Sequence, residues 1–148
     1  MLNKVTVKIK KLFPEAKLPV YGSAQAAGAD LYALSDHNIR IRPNQTAIGH
    51  TGVAAAIPEG FVGLIYARSG LATKKGLAPA NKVGVIDSDY RGEIRVALHN
   101  DSKYEQCIEP YDRIAQLVIA PYVFADFEES DELNDTDRGV GGFGSTGK

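Results

Sequence analysis

Asp87, Ser88, Asp89 and Tyr90 stand in the segment NKVGVIDSDYRGE, Asn81 to Glu93, between two apolar runs and with Gly84 and Gly92 on either side. This reads as a hairpin carrying carboxylates. Asp89, beside Ser88 and Gly92, has the character of a turn former. Asp87 directly follows Val85 and Ile86, which places its carboxylate at the wall of a pocket, where burial would fix its direction. A carboxylate held that way can take a proton from water. Three other segments carry groups suited to anions. In YARSGLATKKG, Tyr66 to Gly76, Arg68 and the amides after Ser69 gather where a short helix would begin, and helix N-termini bind anions. In DRIAQLVI, Asp112 to Ile119, Arg113 and Gln116 interrupt an apolar run and need partners, of which a structural one is the commoner kind.

The third is the C-terminal end. From Asp126 to Asp137 seven acids occur without a base, and RGVGGFGSTGK follows, with five glycines among eleven residues. Such a stretch cannot pack a core, and ends of this composition are commonly solvated tails. Its particular residues ask for more. Glycines let backbone N–H groups approach a ligand closely, Ser145 and Thr146 add hydroxyls, and Arg138 offers a planar fork for phosphate. Phe143, flanked by glycines, can stack on a flat heterocycle. Gly139, Gly141 and Gly144 satisfy G-x-G-x-x-G, but the chain reaches Lys148 without the helix and distant acid that a dinucleotide fold requires. GVGGFGST imitates a P-loop with Ser145 in the place of the lysine. The remaining reading is a mobile flap that closes over a nucleotide.

Other chemistries lack support in the sequence. Cys107 is the one cysteine, and His37, His50 and His99 are dispersed without metal-binding spacing. No Ser-His-Asp or Cys-His signature marks a covalent nucleophile. Water attack on a magnesium-bound phosphate chain is the economical alternative, because magnesium takes oxygen ligands from phosphates and water.

The elements that must position these groups have a period of two. Val5, Val7 and Ile9 alternate with Thr6 and Lys8, Ile39 and Ile41 with Arg40, and Ile94, Val96 and Leu98 with Arg95 and Ala97. Phe61 to Tyr66 and Ile114 to Ile119 are short apolar runs near Pro58, Gly60, Pro110 and Pro121, and they read as strands as well. Only Ser69 to Gly76 looks helical, with Ser69 as cap and Gly76 as stop. Many short strands and one helix predict an all-β sandwich, barrel or jelly roll. At 148 residues, with 17 basic and 18 acidic side chains, the chain is expected to form one domain. It has no general electrostatic reason to hold nucleic acid or a membrane surface. The lone cysteine, an N-terminus unlike a signal peptide and the lack of a long apolar run predict a cytoplasmic protein, nuclear if the source is eukaryotic or viral.

AGADLYA (27–33), ARSGLATKKG (67–76), NKVGVIDSDYRGE (81–93), DRIAQLVI (112–119) and RGVGGFGSTG (138–147) together, in this order, resemble the five motifs of the trimeric deoxyuridine triphosphatases. The resemblance spans most of the chain. It implies a β jelly roll with a flexible glycine-rich arm, divided into a β core (1–125), an acidic linker (126–137) and a C-terminal lid (138–148). It also implies Mg-assisted hydrolysis of dUTP to dUMP and pyrophosphate, which limits uracil incorporation into DNA and supplies dUMP for thymidylate synthesis. By the same resemblance Asp87 activates the attacking water, while Arg68, Ser69, Gly70, Gln116, Arg138, Gly144, Ser145 and Thr146 bind phosphates. Asn81, Gly84, Val85 and Ile86 wall the uracil, Tyr90 packs beneath deoxyribose and Phe143 stacks over the base. Magnesium would be held by substrate phosphates and water, with Asp30 organising its water shell and Arg113 structural. Three sites would lie at the junctions of a homotrimer, one subunit giving Asp30, Arg68, Ser69 and Gln116, a second the hairpin and a third the tail.

Two rivals belong to other classes. A dCTP deaminase shares the phosphate scheme but attacks the base, and a nucleotide-binding regulator would bind without turnover. The intact Asp87 and the RGVGGFGSTG tail favour the triphosphatase.

Overall fold

The computed structural model describes residues 4–145. Eleven strands and one helix are defined: β1 (Lys8–Lys11), β2 (Val20–Tyr21), β3 (Ala29–Tyr32), β4 (Ile39–Ile41), β5 (Thr46–Ala56), β6 (Phe61–Tyr66), α1 (Ser69–Lys75), β7 (Leu77–Pro79), β8 (Gly84–Ile86), β9 (Glu93–Asn100), β10 (Gln106–Ile108) and β11 (Arg113–Pro121). They form a four-stranded sheet in the order β1-β5-β9-β7, a five-stranded sheet in the order β2-β3-β11-β6-β8, and a two-stranded β10-β4 ribbon. Every pairing is antiparallel. This is the expected all-β jelly-roll architecture. No helix among the described residues is long and apolar enough to cross a membrane.

Alternation builds the core. Ile94, Val96 and Leu98 of β9 face inward, with Val53 and Ala55 of β5, and join Leu31, Ile65, Ile86 and Leu117 of the other sheet in one cluster, which Ile41 and Ile108 extend. Two bulges break the period. In β11 the register slips between Arg113 and Ala115, so Ile114 and Ala115 are both buried. In β5 it slips between His50 and Ala54, with Gly52 at φ +68, and residues 51–55 are buried in succession.

Three expectations need correction. The first strand begins at Lys8, and Val5 is an exposed residue before it, because β5 offers partners only to Lys8 through Lys11. Ser69 is the first residue inside α1 and not its cap; the cap position is Arg68, in extended conformation and without a side-chain capping bond. Gly76 does end the helix, in the left-handed region at φ +65. Finally, 81–93 is not a two-stranded hairpin. β7 belongs to the four-stranded sheet, β8 adds to β6 at the edge of the five-stranded sheet, and β9 returns to the first. The segment is an excursion between sheets.

Candidate active site

In the five-stranded sheet Gln116 of β11 lies directly between Asp30 of β3 and Tyr66 of β6. That row is the foundation of one cluster. β6 runs out of the row into Ala67 and Arg68, whose Nε donates to Oδ1 of Asp30 at 2.7 Å. Arg113 Nη1 donates to the other oxygen at 3.4 Å. Asp30 is buried, so these two cations supply much of what water would otherwise provide. The partner that Arg113 needed is therefore Asp30. Gln116 donates from Nε2 to the Ala67 carbonyl at 2.8 Å, which ties the start of the helix to the row. Ser69 and Gly70 are exposed at the first turn, which carries no acidic residue, while Lys74 and Lys75 occupy the last turn. Both placements suit the helix dipole and leave the first turn hospitable to an anion. Arg68, Ser69, Gly70, Gln116 and Asp30 are thus brought together.

A second cluster surrounds a cavity of about 370 Å³. Its walls include Asn81, Gly84, Val85, Ile86, Asp87 and Tyr90 from the excursion, with Ile48, Arg95 and Ala97 from the four-stranded sheet. Close packing shapes the wall: a Cβ on Gly84 would come within 3.1 Å of Ile65 Cβ and 3.4 Å of Asn81 Nδ2. As the outermost strand of its sheet, β8 spends backbone groups on β6 along one side only. The groups along its free edge are available to a planar hydrogen-bonding ligand. Beyond β8 a turn closes with the Tyr90 amide donating to the Asp87 carbonyl at 3.1 Å. Arg91 clamps it, donating to the carbonyls of Ser88 at 2.6 Å and Tyr90 at 3.0 Å. Asp87 lines the cavity as expected, but it is exposed in the single chain and not buried, since the turn lifts it clear of the core. Among the described residues no side chain pairs with its carboxylate.

These two clusters do not meet within one chain. Ile86 lies opposite Gly63 and the ladder runs antiparallel, so Asp87 is level with Val62 near the start of β6, while Tyr66 ends the strand and Arg68 lies beyond that other end. At ~3.3 Å per residue the two ends are separated by more than 10 Å along the strand.

The tail forms no strand or helix among its described residues. Its hydrogen bonds there are internal: Arg138 Nε donates to the Gly141 carbonyl at 2.8 Å, and the Ser145 amide to the Gly142 carbonyl at 3.0 Å. Gly139 and Gly144 adopt left-handed φ of +51 and +88, and Phe143 is fully exposed. Thr146 lies outside the described residues.

Several contributors carry no obvious mark in the sequence. A Cβ on Gly28 would fall 2.3 Å from Gln116 Oε1, so that glycine clears space for the amide. Gly92 does the same for Tyr90, whose hydroxyl oxygen would lie 2.5 Å from an added Cβ. Gly28 stands two residues before Asp30 and Gly92 two after Tyr90, and that adjacency was the available signal. Ile48 and Ala97 are cavity walls that only sheet pairing brings near 81–90. Among the described residues no group of three or more His, Cys, Asp or Glu side chains converges.

Comparison with known proteins gives a consistent result. The dUTPase family model matches residues 14–147. The deoxyuridine 5'-triphosphate nucleotidohydrolase of Syntrophotalea carbinolica is 46% identical over 146 residues, covering 99% of each chain. That of Nautilia profundicola is 50% identical over 142 residues, 96% of this chain and 99% of its own. Among solved structures, the Staphylococcus bacteriophage 80alpha dUTPase with dUPNHPP superposes with a TM-score of 0.86 at 29% identity, covering 98% of this chain and 100% of that one. A variant dUTPase from phage phi11 of S. aureus, solved with a coordinated structural Mg(II) ion, gives 0.77 at 26% identity over 86% of this chain and 98% of that one. A jelly roll whose sequence is matched almost from end to end by the family model and by relatives at 46 to 50% identity belongs to the dUTPase family.

Proposed function

We propose that the chain hydrolyses dUTP to dUMP and pyrophosphate, with Asp87 as general base. The observation that carries this reading is Asp87 at the mouth of a cavity edged by β8. The volume, about 370 Å³, lies in the range of small-ligand sites. Uracil presents one N–H between two carbonyls, and the backbone from Asn81 to Ile86 supplies the complementary groups. Cytosine reverses the pattern on one side and would leave buried groups unpaired, while the methyl of thymine would meet a fitted wall. Tyr90 packs beneath the sugar.

A water molecule held by Asp87 attacks the α-phosphorus in line. Its proton passes to the carboxylate, the new P–O bond forms, and the bond to the bridging oxygen breaks as pyrophosphate leaves. Charge on the phosphates is met by Arg68, Ser69, Gly70 and Gln116, with Arg138, Gly144, Ser145 and Thr146 closing over the chain's far end. Arg68 lies beyond the Tyr66 end of β6 while Asp87 is level with Val62 near its start, and this separation supports one substrate drawing them from different copies of a homotrimer, with a third copy's tail as lid. Closure excludes water and completes the set.

Asp30 suits a hydrated magnesium ion. Both its oxygens already accept from arginines, yet a carboxylate has about four acceptor positions, which leaves room for metal-bound water. Magnesium on the phosphates would supply charge neutralisation and orientation. The compartment that fits this reading is the cytoplasm, or the nucleus if the source is eukaryotic or viral.

Pyrophosphate release measured with dUTP, dTTP, dCTP and UTP, with and without magnesium, tests reaction, base, sugar and metal together. Turnover of dUTP alone, enhanced by magnesium, is expected. Ammonia release from dCTP, or an intact dUTP pool, contradicts the proposal.

A further inference from the structure

Glu93 opens β9 with its side chain only 17% exposed. Oε1 accepts from the Gly52 amide at 2.8 Å, and Oε2 lies 2.8 Å from His50 Nδ1. Both partners belong to the bulge of β5. One carboxylate therefore ties an irregular strand to the first residue of its neighbour. The backbone carbonyl of that same residue accepts from the Tyr90 hydroxyl at 2.9 Å. Tyr90 is held on its other side by Gly92, where an added Cβ would also fall 2.7 Å from Cζ. Burial alone would push the Glu93 carboxyl up, but the bonds from His50 and Gly52 and the charges of His50 and Arg95 outweigh it and hold it below the usual value. The accepting anion is accordingly the form at neutral pH.

We propose that Glu93, gripped by His50 and Gly52, is a positioning residue for Tyr90 and thereby sets how strictly the sugar pocket rejects a 2'-hydroxyl. This deepens the proposed function and rests on Tyr90 lying beneath deoxyribose. The carboxylate itself faces the bulge, so its influence travels through the Glu93 carbonyl and the ring. The chain's tolerance at this point is narrow: the carbonyl that fixes the phenol and the carboxylate that fixes the carbonyl are parts of one residue.

The test is the ratio of kcat/KM for dUTP to that for UTP in the full-length protein, with assembly of each variant checked by gel filtration. Pocket misfits of one small group change selectivity by about 10 to 200-fold, so Glu93→Ala should lower the ratio about tenfold, chiefly through a lower KM for UTP. Glu93→Gln should retain the ratio, because its amide oxygen still accepts from Gly52 and its NH2 can donate to an unprotonated His50 Nδ1. In a Tyr90→Ala background, Glu93→Ala should add nothing. If Glu93→Ala does not assemble, His50→Ala removes the outer half of the grip from a half-exposed position and should shift the ratio in the same direction. A ratio unchanged by the assembled variant, or a further fall on top of Tyr90→Ala, overturns the positioning role alone. A ratio unchanged in Tyr90→Ala overturns the sugar reading and this role with it.

Discussion

At the scale of single residues, Asp87 and Gln116 depend on different things. Asp87 needs direction, which the Arg91 clamp and the turn from Asp87 to Tyr90 provide. Replacing it by Asn keeps shape and removes the proposed base. General-base help is typically worth about 100 to 10,000-fold, so Asp87→Asn should lose turnover on that scale while retaining affinity for dUpNHpp by calorimetry. Gln116 needs space. Gly28→Ala would put a methyl 2.3 Å from Oε1, a flexible end that can swing aside, and 3.1 Å from Gln116 Cβ, which must give by a few tenths of an ångström, so the fold should survive while the amide leaves the Ala67 carbonyl. The expected result is a raised KM for dUTP with little change in melting temperature; an unchanged KM would remove Gln116 from the phosphate site. The sequence announced Asp87 and Gln116 as polar groups in apolar company. It did not announce the glycines that make room for neighbours, because a clearance belongs to a pair of residues and not to either one.

Among the elements, α1 and β5 mark what period and propensity can and cannot reveal. The helix was legible from its residues and its terminal glycine. Gly76→Ala should destabilise the protein by about 1 to 2 kcal/mol, since φ +65 is costly for an L side chain, and the new Cβ would also press on Ser102 at 3.0 Å. Thermal melting checks it, and an unchanged melting temperature would contradict the cap assignment. β9 was equally plain, since Ile94, Val96 and Leu98 alternate with exposed or half-buried neighbours. β5, the longest strand, was not, because its bulge buries five successive residues and erases the alternation. β8 reads as one arm of a hairpin because Gly84 to Ile86 and Glu93 to Leu98 are close in sequence, but which sheet each joins is decided by distant partners. The tie across the bulge also predicts a pH effect. Glu93 is held below its ordinary value of 4.5 when folded, so its contribution is fully present above that pH and is lost as pH falls through the lower folded value. Glu93→Gln should flatten the acid limb of a stability-against-pH curve, and an unaltered limb would show that the pair contributes nothing.

At the scale of the whole molecule, several large apolar side chains stand open on the single chain. Val85 is 64% exposed, and Val123, Phe124, Phe127 and Leu133 are exposed by 87% or more along the segment that leads to the tail. In the proposed trimer these side chains are candidates for burial between chains. The proposed lid lies beyond this stretch, so removal of residues 138–148 should leave assembly intact and abolish most turnover. Dissociation on truncation, seen by sedimentation, would instead make the tail structural. Five separated motifs spoke for a nucleotide, but composition and spacing could not tell which copy supplies which part. The proposed division rests on Arg68 leaving the Tyr66 end of β6 while Asp87 sits level with Val62 near the other.

The most direct test of the account is therefore complementation between two inactive variants, Asp87→Asn and Arg68→Ala, co-expressed in equal amounts. If Asp87 of one copy serves phosphates held by Arg68 of another, mixed trimers each regain one intact site, and pyrophosphate release from dUTP should recover to about a quarter of the wild-type rate. Activity no higher than that of the separate parents would show that both groups act within one chain, and would contradict the shared site on which the mechanism depends.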